Sequence, residues 1–195
     1  MTAARVGPTL LALATVVAAS ATSLQPSSAL AVPPLLAGTA GEATGGPVDG
    51  IECEVRERLL FHIHSHLAVF VDGQRRTIPR GIGIPAPRHI TSSDQGPFAV
   101  AGTCYYRMHS HTADGVIHIE SPTQRTYTLG DWFDLWRQPL GPDRVGPARG
   151  PVVVYIDGRR YRGALRDTPL TAQALVQVDV GTDVPPQGFT FPPGL

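Results

Sequence analysis

Six of the seven histidines of this 195-residue chain stand in two short windows. The first reads FHIHSHLAVFV from Phe61 to Val71, with imidazoles alternating with apolar residues. On an extended strand, residues i, i+2 and i+4 share one face, about 6.6 Å apart at each step. His62, His64 and His66 therefore point one way, while Phe61, Ile63, Leu67, Val69 and Val71 point the other way, toward a core. Clustered imidazoles serve as metal ligands, as proton carriers or as a pH-sensitive charge.

The second window places His109, His111, His118 and Glu120 around Asp114-Gly115. If Asp114-Gly115 closes a two-residue hairpin, His111 opposes His118 and His109 opposes Glu120, with Cβ atoms about 5 Å apart. A loop longer by two residues keeps all four groups on one face but sets His109 against His118. A loop longer by one breaks the parity. Tyr106, Met108, Ile117 and Ile119 read as the opposite, apolar face. Three imidazoles and a carboxylate suit Zn, Cu, Fe, Mn or Ni, among which imidazole does not choose. Adding His62, His64 and His66 supplies enough ligands for two ions. Glu120 has the chemistry of a ligand, of an acceptor orienting an imidazole, or of a general base held off the metal. His89 stands apart and reads as a loop residue, and Asp72, Asp114 and Asp157 read as turn residues.

These side chains need strands to hold them. Asp72-Gly73, Asp114-Gly115 and Asp157-Gly158 each signal a hairpin turn. Strands are expected over 61–71, 104–111 and 116–120, in a hairpin over 152–163, and over 175–180. Ile51–Leu60 reads as a short helix with Ile51, Val55 and Leu59 on one face, and the Pro- and Gly-rich stretch around 80–95 reads as a loop. Leu129, Trp132, Phe133 and Trp136 recur at helical spacing behind a capping-box pair, Thr128 and Asp131, with both Trp as core anchors. The expected fold is α+β: a mainly antiparallel β-sheet built from hairpins, with one short helix packed on it, forming a single domain over 51–195.

Composition removes other chemistries. All 16 basic side chains are Arg, balanced by 16 acids. Without Lys there is no lysine nucleophile, Schiff base or phosphate-loop lysine. Zero net charge and scattered Arg argue against nucleic acid as a partner. No serine-nucleophile elbow or zinc-ribbon cysteine pairing is present.

Met1–Ala31 reads as a signal peptide. Arg5 precedes an apolar run from Leu10 to Ala19, and small residues follow at Ala19-Ser20-Ala21 and Ala29-Leu30-Ala31. The run is shorter than the roughly 20 residues that span a bilayer, so no stable membrane insertion is expected after its removal. The mature chain is then secreted, periplasmic or in the cell envelope. Residues 32–50 read as a flexible leader. In an oxidising compartment Cys53 and Cys104, the only two cysteines, favour a disulfide. The alternative is a Cys104 thiolate ligand five residues before His109, but Met108 precedes the His rather than following it as in blue-copper sites.

From about Cys53 to Leu195 the chain resembles an uncharacterised family of exported bacterial His-rich proteins. The resemblance rests on HIHSHLAVFVDG, C-x4-H-x-H ahead of DGVIHIESP, TYTLGDWFDLW and the closing PPQGFTFPPGL. It implies export and a shared His-rich site, with a further His near the position held here by Gln173, and it implies no substrate. Cupins are a weaker comparison. His109-x-His111 matches them, but Glu120 lies nine residues on, where the cupin pattern wants four or five, and the second cupin motif is missing.

The expected function is an exported transition-metal-binding protein with a histidine-rich sheet face. One alternative is a metal-dependent hydrolase or oxidoreductase acting on a small molecule through a three-His/one-Glu site. The other is a histidine-based pH-responsive binding protein without metal.

Overall fold

The computed structural model describes residues 1–4 and 32–195, so all but the first four residues of the Met1–Ala31 signal-peptide reading lie outside the described residues. Val32–Leu195 forms one compact unit. Its strands run in chain order as β1 (Cys53–Glu54), β2 (Phe61–Val71), β3 (Gln74–Arg76), β4 (His89–Ser93), β5 (Gly96–Ala101), β6 (Tyr105–Tyr106), β7 (Met108–His109), β8 (Val116–Ser121) and β9 (Tyr127–Thr128). After helix α1 (Leu129–Trp136) come β10 (Leu140–Gly141), β11 (Arg144–Val145), β12 (Ala148–Arg149), β13 (Val152–Ile156), β14 (Arg159–Arg160), β15 (Pro169–Leu170) and β16 (Leu175–Val180).

The main sheet has the order β14-β13-β16-β2-β8-β7, with β3 also paired to β2. All its pairings are antiparallel except β16 with β2. The long strand β2 is the axis. Its first half pairs with β8 and its second half with β16. The expected parity holds: Leu67, Val69, Met108, Ile117, Ile119, Val176 and Val178 join one apolar core. Helix α1 contributes Leu129, Trp132, Phe133, Leu135 and Trp136 to the same core. Its start is the expected capping box, in which the Asp131 amide donates to Thr128 Oγ1 at 3.2 Å and the Thr128 amide donates to Asp131 Oδ2 at 2.9 Å. Cys53 and Cys104 are joined as a disulfide.

Of the three Asp-Gly hairpins expected above, two are tight, and Asp49-Gly50 makes a further tight turn between Val48 and Ile51. Val71 pairs with Gln74 and Ile156 with Arg159, and Asp72 and Asp157 adopt positive φ of 51° and 50°. Asp114-Gly115 is different. Strand β7 ends at His109 and β8 begins at Val116, with His109 opposite His118 and Met108 opposite Ile119. This is the register of the loop longer by two, not of the two-residue hairpin. Gly115 is pinned by its surroundings, because its carbonyl accepts from the Leu67 amide and a Cβ there would strike the Leu67 carbonyl. Asp114 Oδ1 accepts from the Val116 amide at 2.9 Å, an Asx turn that starts β8.

Three other local expectations give way to tertiary contacts. Ile51–Leu60 is not a helix: β1 pairs with β6, Ile51 is fully buried, and Val55, Leu59 and Leu60 are exposed. The disulfide and the β1 pairing hold Cys53–Glu54 as a strand, and bends and a turn follow up to Leu60, where an isolated helical turn would have little support. The 80–95 stretch is a loop only at first, because His89–Ser93 pairs with β5, and His89 lies exposed on that strand. Residues 32–50 are anchored rather than free. Leu36 and Ala43 enter the core, the Ala43 amide donates to the Leu135 carbonyl, and Trp136 Nε1 donates to the Gly38 carbonyl at 2.8 Å.

Candidate metal centre

The sheet face opposite the core carries the histidines. Across three neighbouring strands one rung reads His64 (β2), His118 (β8), His109 (β7), and the next pairs His62 with Glu120. Strands lie about 4.8 Å apart, so side chains on one rung reach one another directly. His111 arrives from the loop after β7. Glu57 arrives from the loop before β2. The ligand atoms of His62, His64 and His118, of His109, His111 and His118, and of Glu57, His109 and Glu120 each lie within 4.8 Å of one another.

The loop at 81–84 fixes His109 and His111. The Tyr106 amide donates to the Gly83 carbonyl and the Ser110 amide to the Ile82 carbonyl. Gly83, at φ 74°, lies so close that a Cβ would strike the Met108 carbonyl. The rings are oriented in turn. His109 Nδ1 lies 2.8 Å from the Tyr106 carbonyl oxygen and His111 Nδ1 lies 2.6 Å from that of Ala99. A carbonyl only accepts, so both Nδ1 atoms carry the proton. In the neutral rings both Nε2 atoms are then bare lone pairs, and they face each other at 3.1 Å. Carbonyls gripping the far nitrogen in this way are the usual outer support of a metal-bound imidazole.

A second nitrogen pair stands beside the first, with His62 Nε2 and His64 Nε2 3.0 Å apart. Glu120 lies between the pairs. Its Oε1 is 3.2 Å from His62 Nε2 and 3.7 Å from His118 Nδ1, and its Oε2 is 3.9 Å from His109 Nε2. Glu120 Oε2 is buried and has no hydrogen-bond partner.

Burial sets the charge states. It holds His64 down at about 4, helped by His62 and His111. It takes His118 to about 2, helped by His111, His64 and His62. His109 is pushed well below the usual range by complete burial, with His111 and His118 adding to it. These three rings are neutral at pH 7, the form that ligates. Burial also raises Glu120, opposed by His62 and His111, and raises Glu57, to which Glu120 adds.

His66 shares the parity of His62 and His64 but stays apart from the ligand groups. It lies one step further along β2, stacked on Phe189 with ring centroids 3.7 Å apart, and its Nε2 is 3.1 Å from the Asp114 carbonyl oxygen. Glu57 is the residue that sequence reasoning missed. Its carboxylate lies 3.6 Å from His111 Nε2 and 3.8 Å from His109 Nε2. The Cys53–Cys104 bond and the Arg107–Glu54 ion pair at 2.8 Å hold its loop in place. Only the pairing of the two cysteines could have pointed to it.

A cavity of about 320 Å³ opens beside the histidines, walled by Phe98, Val100, Tyr105 and Leu195. Phe98 stacks on His111 at 4.4 Å. Among the described residues no helix is long and apolar enough to cross a membrane. Comparison of the chain with protein-family models, curated proteins and solved structures finds no match.

Proposed function

We propose that this protein is an exported transition-metal-binding protein that holds its metal on the histidine face of β2, β8 and β7. One observation carries the reading: the Nε2 lone pairs of His109 and His111 converge at 3.1 Å while each Nδ1–H is committed to a carbonyl. Two facing lone pairs repel, and a cation between them turns the repulsion into coordination. The donor set of imidazoles and carboxylates suits the divalent ions from Mn to Zn. The disulfide agrees with an oxidising compartment, and the resemblance to exported His-rich bacterial proteins supports the same reading.

The cavity favours one extension. It gives a small molecule access to the metal, as a hydrolase or oxidoreductase requires. A metal-free pH switch has less support, because burial keeps His109 and His118 neutral through the range near pH 6 where such switches act. The test is elemental analysis of protein purified without an affinity tag, beside a His109→Ala/His111→Ala variant. Stoichiometric metal in the wild type, reduced in the variant, is the expected result. Sub-stoichiometric metal, equal in both, overturns the proposal.

A further inference from the structure

The candidate centre offers more donors than one ion uses. Five imidazoles (His62, His64, His109, His111 and His118) and two carboxylates (Glu57 and Glu120) converge in the three overlapping groups. A first-row divalent ion takes four to six ligands. The donors are also divided. Nitrogens bound to one ion at about 2.0–2.1 Å stand roughly 2.9–3.4 Å from their neighbours in the same coordination sphere. Two separate nitrogen pairs have that spacing, His62/His64 at 3.0 Å and His109/His111 at 3.1 Å.

Glu120 joins the two pairs. Its Oε1 faces His62 at 3.2 Å, and its Oε2, buried and without a hydrogen-bond partner, faces His109 at 3.9 Å. A carboxylate that turns one oxygen to each of two ligand pairs is placed as a bridge. His118 stands in the groups of both pairs, its ring centroid 4.6 Å from those of His64 and of His111. Glu57 faces only the His109/His111 pair.

We infer that the site binds two metal ions bridged by the Glu120 carboxylate, one held by His62 and His64 and the other by His109, His111 and Glu57. The inference rests on the metal-binding reading above. Bridged ions of this kind lie about 3.5–4 Å apart, close enough for their electron spins to couple.

Cu(II) is the probe, because nitrogen sites bind it most tightly among the divalent first-row ions. Metal-free wild-type protein is titrated with Cu(II) and followed by electron paramagnetic resonance. The expected result is two Cu(II) per chain, with the second equivalent converting an isolated-ion spectrum into that of a coupled pair with a half-field line. His62→Ala/His64→Ala is expected to keep one uncoupled ion, and so is His109→Ala/His111→Ala. Saturation of the wild type at one isolated ion overturns the pair and leaves metal binding standing. Two ions without coupling overturn the bridge, since the second is then bound elsewhere. No binding overturns both readings. The wild-type spectrum decides the matter even if a double variant fails to fold.

Discussion

Replacing His109 with Leu separates what the imidazole does for a metal from what it does for packing. The ring is fully buried, with Nδ1–H donating to the Tyr106 carbonyl at 2.8 Å and Nε2 facing His111. In the metal-free protein Leu fills most of the same space. Leaving the Tyr106 carbonyl without its donor costs about 1–3 kcal/mol, and removing one of two facing lone pairs offsets part of that. At about 2–4 °C per kcal/mol, the metal-free variant should therefore unfold no more than about 12 °C below wild type. With Zn(II) the two should diverge. At a thousandfold excess over its dissociation constant a ligand stabilises the native state by about 4 kcal/mol. For a domain of this size 1 kcal/mol moves the midpoint by about 2–4 °C, so wild type should gain about 8–16 °C. His109→Leu should lose the share of that gain that comes from the ion held by His109 and His111, and so rise less than wild type. The assay is thermal unfolding followed by circular dichroism, for each protein in chelator and in Zn(II). An equal zinc-induced rise in wild type and variant would refute the assignment of His109 as a ligand and the lone-pair reasoning behind it.

Three further outcomes are expected. In metal-free protein, His64 and His66 titrate at about 4 folded against 6.5 unfolded, so between those values the unfolded chain binds more protons and stability falls as pH falls. Each ring should contribute a slope of up to about 1.4 kcal/mol per pH unit in that window and none above pH 7. Urea melts from pH 4.5 to 7.5 measure it, and a flat profile contradicts the burial argument. Cys53→Ser/Cys104→Ser opens a loop with a sequence separation of 51 and should lower stability by up to about 4 kcal/mol on the chain-entropy model. The same variant should weaken metal affinity, because the Glu57 loop loses its tether, and isothermal titration would show unchanged affinity if Glu57 were not a ligand. Thr128→Ala removes the α1 cap and should cost about 1 kcal/mol, read as a lower midpoint at unchanged metal stoichiometry.

Much of this was legible locally. The face a strand side chain occupies depends only on consecutive residues, so alternation over Phe61–Val71 and Val116–Ser121 separated the histidine face from the core without any partner strand. Thr128, Asp131 and the Leu129–Trp136 spacing declared the helix for the same reason, since a cap and an apolar stripe lie within one or two turns. The Ile51–Leu60 reading failed because so short a pattern is overridden by a disulfide and a strand pairing to residues about fifty positions away.

What the sequence determined by itself, then, is which side chains share a face, because parity is a property of the chain's own geometry. What only the tertiary structure decided is which of them meet. His109 faces His118 rather than Glu120 because the loop at 110–115 is held by contacts to Leu67 and the 81–84 segment, not by an isolated turn. His66 shares the face yet stands one strand step beyond the cluster, against Phe189. Glu57, invisible to any periodicity, reaches His109 and His111 because the Cys53–Cys104 bond brings its loop there. Distances between ligand atoms from separate strands depend on register and long-range closure, and no local pattern encodes them.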